Sequence, residues 1–336
     1  MRASSISIDG LILYYYDLFP DKVEAYGKVQ KITTRKGTYA LKETDMGPEQ
    51  MTWFLHCMER LHELTYDHVV PITPTKYGDP YVVVNNRYYY VTKWYEHDGR
   101  NDFAYEEFII DELGKLHANT VKAQTFSEDV VKDSYTGLLK RFEQRQLEME
   151  RFTELAERQT YISPFELRYL SQFHKMMRIA EEAKHKVNEW YSTCEQNKRY
   201  RSVLCHGRPF RGHVVQDQFG EGNFINFERA ILDTPVRDLA YFFRAAAQYP
   251  EWSEYSALEW LNRYESHLPL LIEEKVLLAS YLKFPEPVFS TIQTYQGSPS
   301  TSQLDLVRKL DRKLNVMKAL DRFADRFLQE AIPEQE

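Results

Sequence analysis

The chain has 336 residues, with 43 Lys+Arg against 50 Asp+Glu for a formal net charge of -7, and is 43% hydrophobic and 14% aromatic. Such a composition excludes a disordered or collagen-like chain. The acid excess disfavours a general nucleic-acid binder, which needs clustered Lys and Arg to neutralise phosphates. In chain order, Gly27–Thr33 and Thr38–Glu43 are short alternating segments around Arg35-Lys36-Gly37 and predict a β-hairpin. Met51, Phe54, Leu55, Met58 and Leu61 share one helical face, and Gly47-Pro48 suits the start of that helix. Pro80–Val84 and Tyr88–Trp94 predict a second hairpin around Asn85-Asn86-Arg87, since β-branched and aromatic residues favour strands.

After Gly99 the pattern turns helical. Phe108, Ile109, Leu113 and Leu116 form an inward stripe in Phe103–Thr120. Gly137–Glu157 and Pro164–Cys194 are long and charge-rich, with Ser163-Pro164 as a cap and first-turn proline. Their charges are solvated faces. Arg201–Leu204, Val214-Val215 and Phe224–Phe227 predict short strands, the last two around Gly220-Glu221-Gly222. From Asp238 onward the chain is mostly helix, with a Gly/Ser/Pro loop over Gln296–Ser302 and a final amphipathic helix over Leu304–Phe327. Tyr14–Tyr16 and Tyr88–Tyr90 are expected in strands and core.

The reading is an α+β chain of two lobes, a β-rich one over residues 1–95 and a larger helical one over 96–336. Cys57, Cys194 and Cys205 are odd in number and far apart, which argues against a disulfide framework and fits a reducing compartment. No apolar run reaches the roughly 18 residues of a membrane span. Met1–Gly10 has one Arg and no apolar core of about 7–15 residues, so no secretory signal is expected there.

Three pieces stand in order: Ala40-Leu41-Lys42 on a strand followed by a helix; Tyr89–Trp94 leading into the second lobe; and Cys205-His206-Gly207, then Ile225-Asn226-Phe227-Glu228, then Asp238-Leu239-Ala240. Together they resemble the bilobal protein-kinase-like fold of the aminoglycoside phosphotransferase and choline kinase branch, from about residue 25 to 330. Within that branch the likeness is to the spore-coat CotS-like proteins, most of all the YsxE type, with YutH a near relative. It rests on the G-T-Y-A-L-K strand, the Tyr-rich strand into Trp94-Tyr95-Glu96, and L-C-H-G followed by I-N-F-E-R-A.

The resemblance implies a nucleotide-phosphate lysine at Lys42, with a helix partner among Glu49, Gln50 and Glu59. It implies structural catalytic-loop roles for His206, Gly207 and Asp238. The branch's H-G-D-x-x-x-x-N loop and I-D-x-E strand would place a catalytic Asp at Arg208, a metal-binding Asn at His213 and a metal-binding Asp at Asn226. The two Asp replacements raise local charge by about +2 and about +1. Mg²⁺ is a hard cation that needs carboxylates, and guanidinium cannot act as a base. The expectation is therefore a catalytically inactive, kinase-like component of the endospore coat, with no intact catalytic group, metal or cofactor. Its partners would be other coat proteins, and it would be made in the mother-cell cytoplasm and deposited in the coat.

Two alternatives remain: an active ATP- and Mg²⁺-dependent small-molecule phosphotransferase using Glu228 or Asp217, and a module binding an anion or peptide through Lys42 and Arg208. Arg208 would otherwise pair with Glu228 or Asp238. Cys205, His206 and His213 match no zinc spacing.

Overall fold

A computed structural model describes residues 8–95, 103–123, 127–297 and 302–331. Glu96 of the Trp94-Tyr95-Glu96 motif and residues 298–301 of the expected Gly/Ser/Pro loop lie outside them. The chain forms two compact units: one runs to Phe108 and adds Arg211–Ala230, and the other takes Ile109–Phe210 and the chain from Ile231. The sequence predicts a single division of the chain, at residue 95. The structure instead returns Arg211–Ala230 to the first unit, because Phe224 exchanges backbone hydrogen bonds with His68 and Val70, at 2.9 and 3.0 Å.

The first unit opens with α1 (Ile8–Tyr15), then β1 (Pro20–Tyr26), β2 (Val29–Thr34), β3 (Gly37–Thr44), α2 (Pro48–Glu63), β4 (Ile72–Thr73), β5 (Val82–Val84) and β6 (Arg87–Lys93). They make one antiparallel sheet in the order β1-β2-β3-β6-β4, with β5 also on β6. Ile12, Leu13, Tyr16, Ile32, Leu41 and Val91 fill its core. Tyr14 and Tyr15 lie in a helix rather than a strand; a short apolar run does not by itself separate the two. The hairpin expected to open the sheet is β2–β3 and is its second hairpin, since β1 precedes it.

In the second unit, α3 (Tyr105–Thr120) continues past Phe108 into β7 (Lys122–Ala123), α4 (Glu128–Glu157), α5 (Pro164–Leu170), α6 (Phe173–Asn197) and β8 (Arg201–Cys205). The expected single helix over Pro164–Cys194 is thus two helices. Ser163 caps α5 in a capping box: its side chain accepts from the Glu166 amide, and Glu166 accepts from the Ser163 amide. Back in the first unit, β9 (Val214–Gln216) and β10 (Gly222–Phe224) form a hairpin. The second unit ends with β11 (Ile231–Asp233), α7 (Val236–Ala246), α8 (Glu254–Glu265), α9 (Ile272–Lys283), α10 (Glu286–Gly297) and α11 (Gln303–Ala331). α9 packs on α6, α7 and α11 and is buried on nearly every side, so it lacks an amphipathic stripe. The chain is an antiparallel β-rich part plus a larger helical part.

Candidate functional site

β8 pairs with β11 through Ile231↔Cys205 and Asp233↔Val203, and it delivers His206-Gly207-Arg208 beside the start of α7. Asp238, in the first turn of α7, is wholly buried. Its Oδ2 accepts from the His206 amide at 2.6 Å and its Oδ1 from the Gly207 amide at 2.8 Å. Gly207 has φ +82°, in the left-handed region that glycine enters without a Cβ clash. The Arg208 amide donates to His206 Nδ1 at 3.2 Å, so that nitrogen carries no proton.

Buried His117 completes this brace. Its Nε2 lies 3.3 Å from Asp238 Oδ2 and its Nδ1 2.9 Å from the Tyr264 hydroxyl. A carboxylate only accepts, so the pattern assigns the proton to Nε2, and Tyr264 donates to Nδ1. Burial raises the Tyr264 hydroxyl well above its ordinary pKa and keeps it protonated. His117 escaped the sequence reading, although it falls four residues after Leu113 on the inward stripe of α3.

His117, Cys205 and Asp238 are the one group among the described residues whose metal-capable atoms lie within 4.8 Å of one another. The group does not suit a cation. Burial, then Asp238, pushes the Cys205 thiol well up, its S–H faces the Thr234 carbonyl at 3.4 Å, and Asp238 and His117 are already engaged.

Arg208 donates through Nε to the Tyr241 hydroxyl at 2.7 Å, and its guanidinium lies 5.4 Å from the Phe210 ring. The alternative in which it pairs with Asp238 is not what forms: the Asp238 oxygens are taken by two amides and His117.

The other chemistry-bearing positions meet in the first unit. Lys42 on β3 faces Tyr90 across the sheet, with Nζ 5.5 Å from the Tyr90 ring. Just past β10, Asn226 takes the left-handed conformation at φ +67°, which Asn tolerates, and its Oδ1 accepts from Lys42 Nζ at 2.6 Å. Glu228 accepts from the Tyr90 hydroxyl. Lys42 is 8% exposed, and burial lowers its pKa, with Glu228 opposing. The expected helix acid does not meet it. α2 presents Phe54 and Met58 to a small crevice beside Lys42, while Glu49 and Glu59 are exposed and Gln50 accepts from the Gly47 amide.

His213 ends a short 3₁₀ turn, Arg211–His213, and its carbonyl accepts from the Ile225 amide at 3.0 Å. Asp217 accepts from the Phe219 and Glu221 amides and so closes the β9–β10 turn. Lys42 lines a pocket of about 560 Å³ together with Tyr26, Trp94, Tyr95, Tyr105, Lys93 and Arg211. Arg211 and Glu106 form a two-pronged ion pair at 2.5 and 2.6 Å, another feature the sequence reading missed.

A magnesium ion, which kinase chemistry would require, does not fit these donors. Asn226 Oδ1 already faces an ammonium, and neither 213 nor 226 supplies a carboxylate.

The model of the family described as "Spore coat putative kinase YutH" matches residues 10–330. The chain belongs to that family. No curated protein matches the chain by sequence. Among solved structures, it is similar to an aminoglycoside phosphotransferase from Alicyclobacillus acidocaldarius subsp. acidocaldarius DSM 446, with 18% identity over 98% of both chains and a TM-score of 0.79. It is also similar to an AMP-bound spectinomycin phosphotransferase, with 13% identity over 97% of both chains and a TM-score of 0.61. The choline kinase LicA from Streptococcus pneumoniae shares 16% identity over 90% of this chain and 95% of its own, with a TM-score of 0.50. The fold is therefore the aminoglycoside phosphotransferase and choline kinase-like one.

Proposed function

We propose that this YutH-family member is catalytically inactive and serves as a structural or assembly component of the endospore coat. One observation carries the inactive reading: the Lys42 ammonium is held by the neutral amide of Asn226, where the pattern of the aminoglycoside phosphotransferase and choline kinase branch would put a metal-binding carboxylate. Neither alternative acid is idle, since Glu228 accepts from Tyr90 and Asp217 closes a turn. Arg208 cannot serve as the missing base, because guanidinium stays protonated, and losing a general base alone costs roughly 10²–10⁴ in rate. The coat role is supported by family membership, with other coat proteins as partners. No helix among the described residues is long and apolar enough to cross a membrane.

The test is a phosphotransfer assay with ATP, Mg²⁺ and a panel of amino-alcohols and aminoglycosides, beside fractionation of spores carrying the tagged protein. No turnover and recovery in the coat extract are expected. Turnover abolished by Lys42→Ala, or recovery in the spore core, would overturn the proposal.

The aromatic pocket favours a second reading, a module that holds an anionic, ring-bearing ligand without metal. Thermal-shift screening separates the two, because a ligand at about 100 times its Kd contributes about 2.7 kcal/mol.

A further inference from the structure

Among the described residues, β1 leaves one side of the sheet open. It stands at the end of the strand order, and all its residues are exposed except half-buried Glu24. The turn after it, Gly27-Lys28, has φ +63° at Gly27, the first central position of a II′ hairpin. Such a turn makes Tyr26↔Val29 the hydrogen-bonded closing pair. By alternation Glu24 turns its backbone toward Lys31 of β2, while Val23 and Ala25 turn their N–H and C=O groups outward. Sheet edges are normally blunted by like charges, an interior proline or a covering segment. Here Pro20 and the register shift sit at the very start, and the two central charges are opposite in sign.

That sign pattern is self-complementary. Lys22 and Glu24 flank Val23 on one face and pair with each other at 2.9 Å. A second copy laid antiparallel about a two-fold axis through Val23 sets each Lys22 opposite the other copy's Glu24, and Val23 against Val23. An axis through Ala25 would instead set Lys22 against Lys28 and Glu24 against Tyr26. The charges thus select the register whose outward backbone groups also match. Phe19, Val23 and Tyr26, at 69%, 46% and 53% exposure, lie along the same edge and would lose water on pairing.

We propose that β1 is a self-association surface, through which two copies of this chain join their sheets edge to edge. The proposal is independent of whether the chain has phosphotransferase activity.

The experiment is sedimentation equilibrium of the full chain over a concentration series, with far-UV circular dichroism as the folding control. Wild type is expected to dimerise. K22E and E24K each place like charges across the axis and weaken the dimer roughly tenfold or more. An equimolar mixture of K22E with E24K restores both cross-pairs and recovers the heterodimer. Val23→Pro removes an outward N–H and abolishes association. A wild-type chain that stays monomeric at its highest soluble concentration overturns the proposal. So does a dimer indifferent to the charge reversals, or a folded mixture of the two variants that fails to associate.

Discussion

Asp238 and Lys42 are both buried charges, one in each unit, and they are treated differently. Asp238 receives hydrogen bonds from two backbone amides and from His117. Lys42 meets one neutral carbonyl oxygen, and burial lowers its pKa. A carboxylate that holds loop amides fixes the loop's shape whatever chemistry the loop performs. A buried ammonium whose partner is neutral is a cost without a counter-charge in contact. Asp238 thus holds the His206-Gly207 loop through its backbone amides, while Lys42 is left with a neutral partner.

The contrast can be broken most forcefully at Asp238. Asp238→Ala strips the partners from two buried amides and a buried imidazole, and is expected to cost about 3 kcal/mol in urea unfolding. A loss under about 1 kcal/mol would show that the brace is dispensable. Asn226→Asp should create an ion pair with Lys42 and raise the lysine's pKa. It would be read as a titration moved to higher pH in unfolding measurements. Lys42→Met has the smallest expected effect, within about 1 kcal/mol of wild type at neutral pH, because it removes a buried charge. It should also change the pH profile. A lowered folded pKa means that the unfolded chain binds more protons as pH approaches 10.5. Lys42 therefore contributes a rise in stability with pH through that window, and the Met variant lacks the rise. A large loss in Lys42→Met at neutral pH would place unseen favourable contacts on the ammonium.

Much of the fold was legible where the pattern is strong: the Met51–Leu61 face and the final helix each reflect one buried side, and the Tyr88–Trp94 strand, buried on both faces, shows in its β-branched and aromatic content. β1 was not, because Pro20–Tyr26 buries neither face and so shows no alternation. Tyr14 and Tyr15, expected in a strand, lie in α1, because a short apolar run fits either period. At the site, Lys42, Asn226 and Asp238 stood out through motif order. The Lys42 partner did not, since Asn226 lies 184 residues away and the pairing depends on tertiary structure. His117 was hidden inside an apolar stripe, where a polar group is visible only once its partners are known.

Isothermal titration of ATP into the full chain, with and without Mg²⁺, addresses the central claim most directly. The account predicts that Mg²⁺ leaves the binding heat and affinity unchanged, because no carboxylate stands at position 226. Tight binding that appears only with Mg²⁺ and vanishes in Lys42→Ala would contradict it.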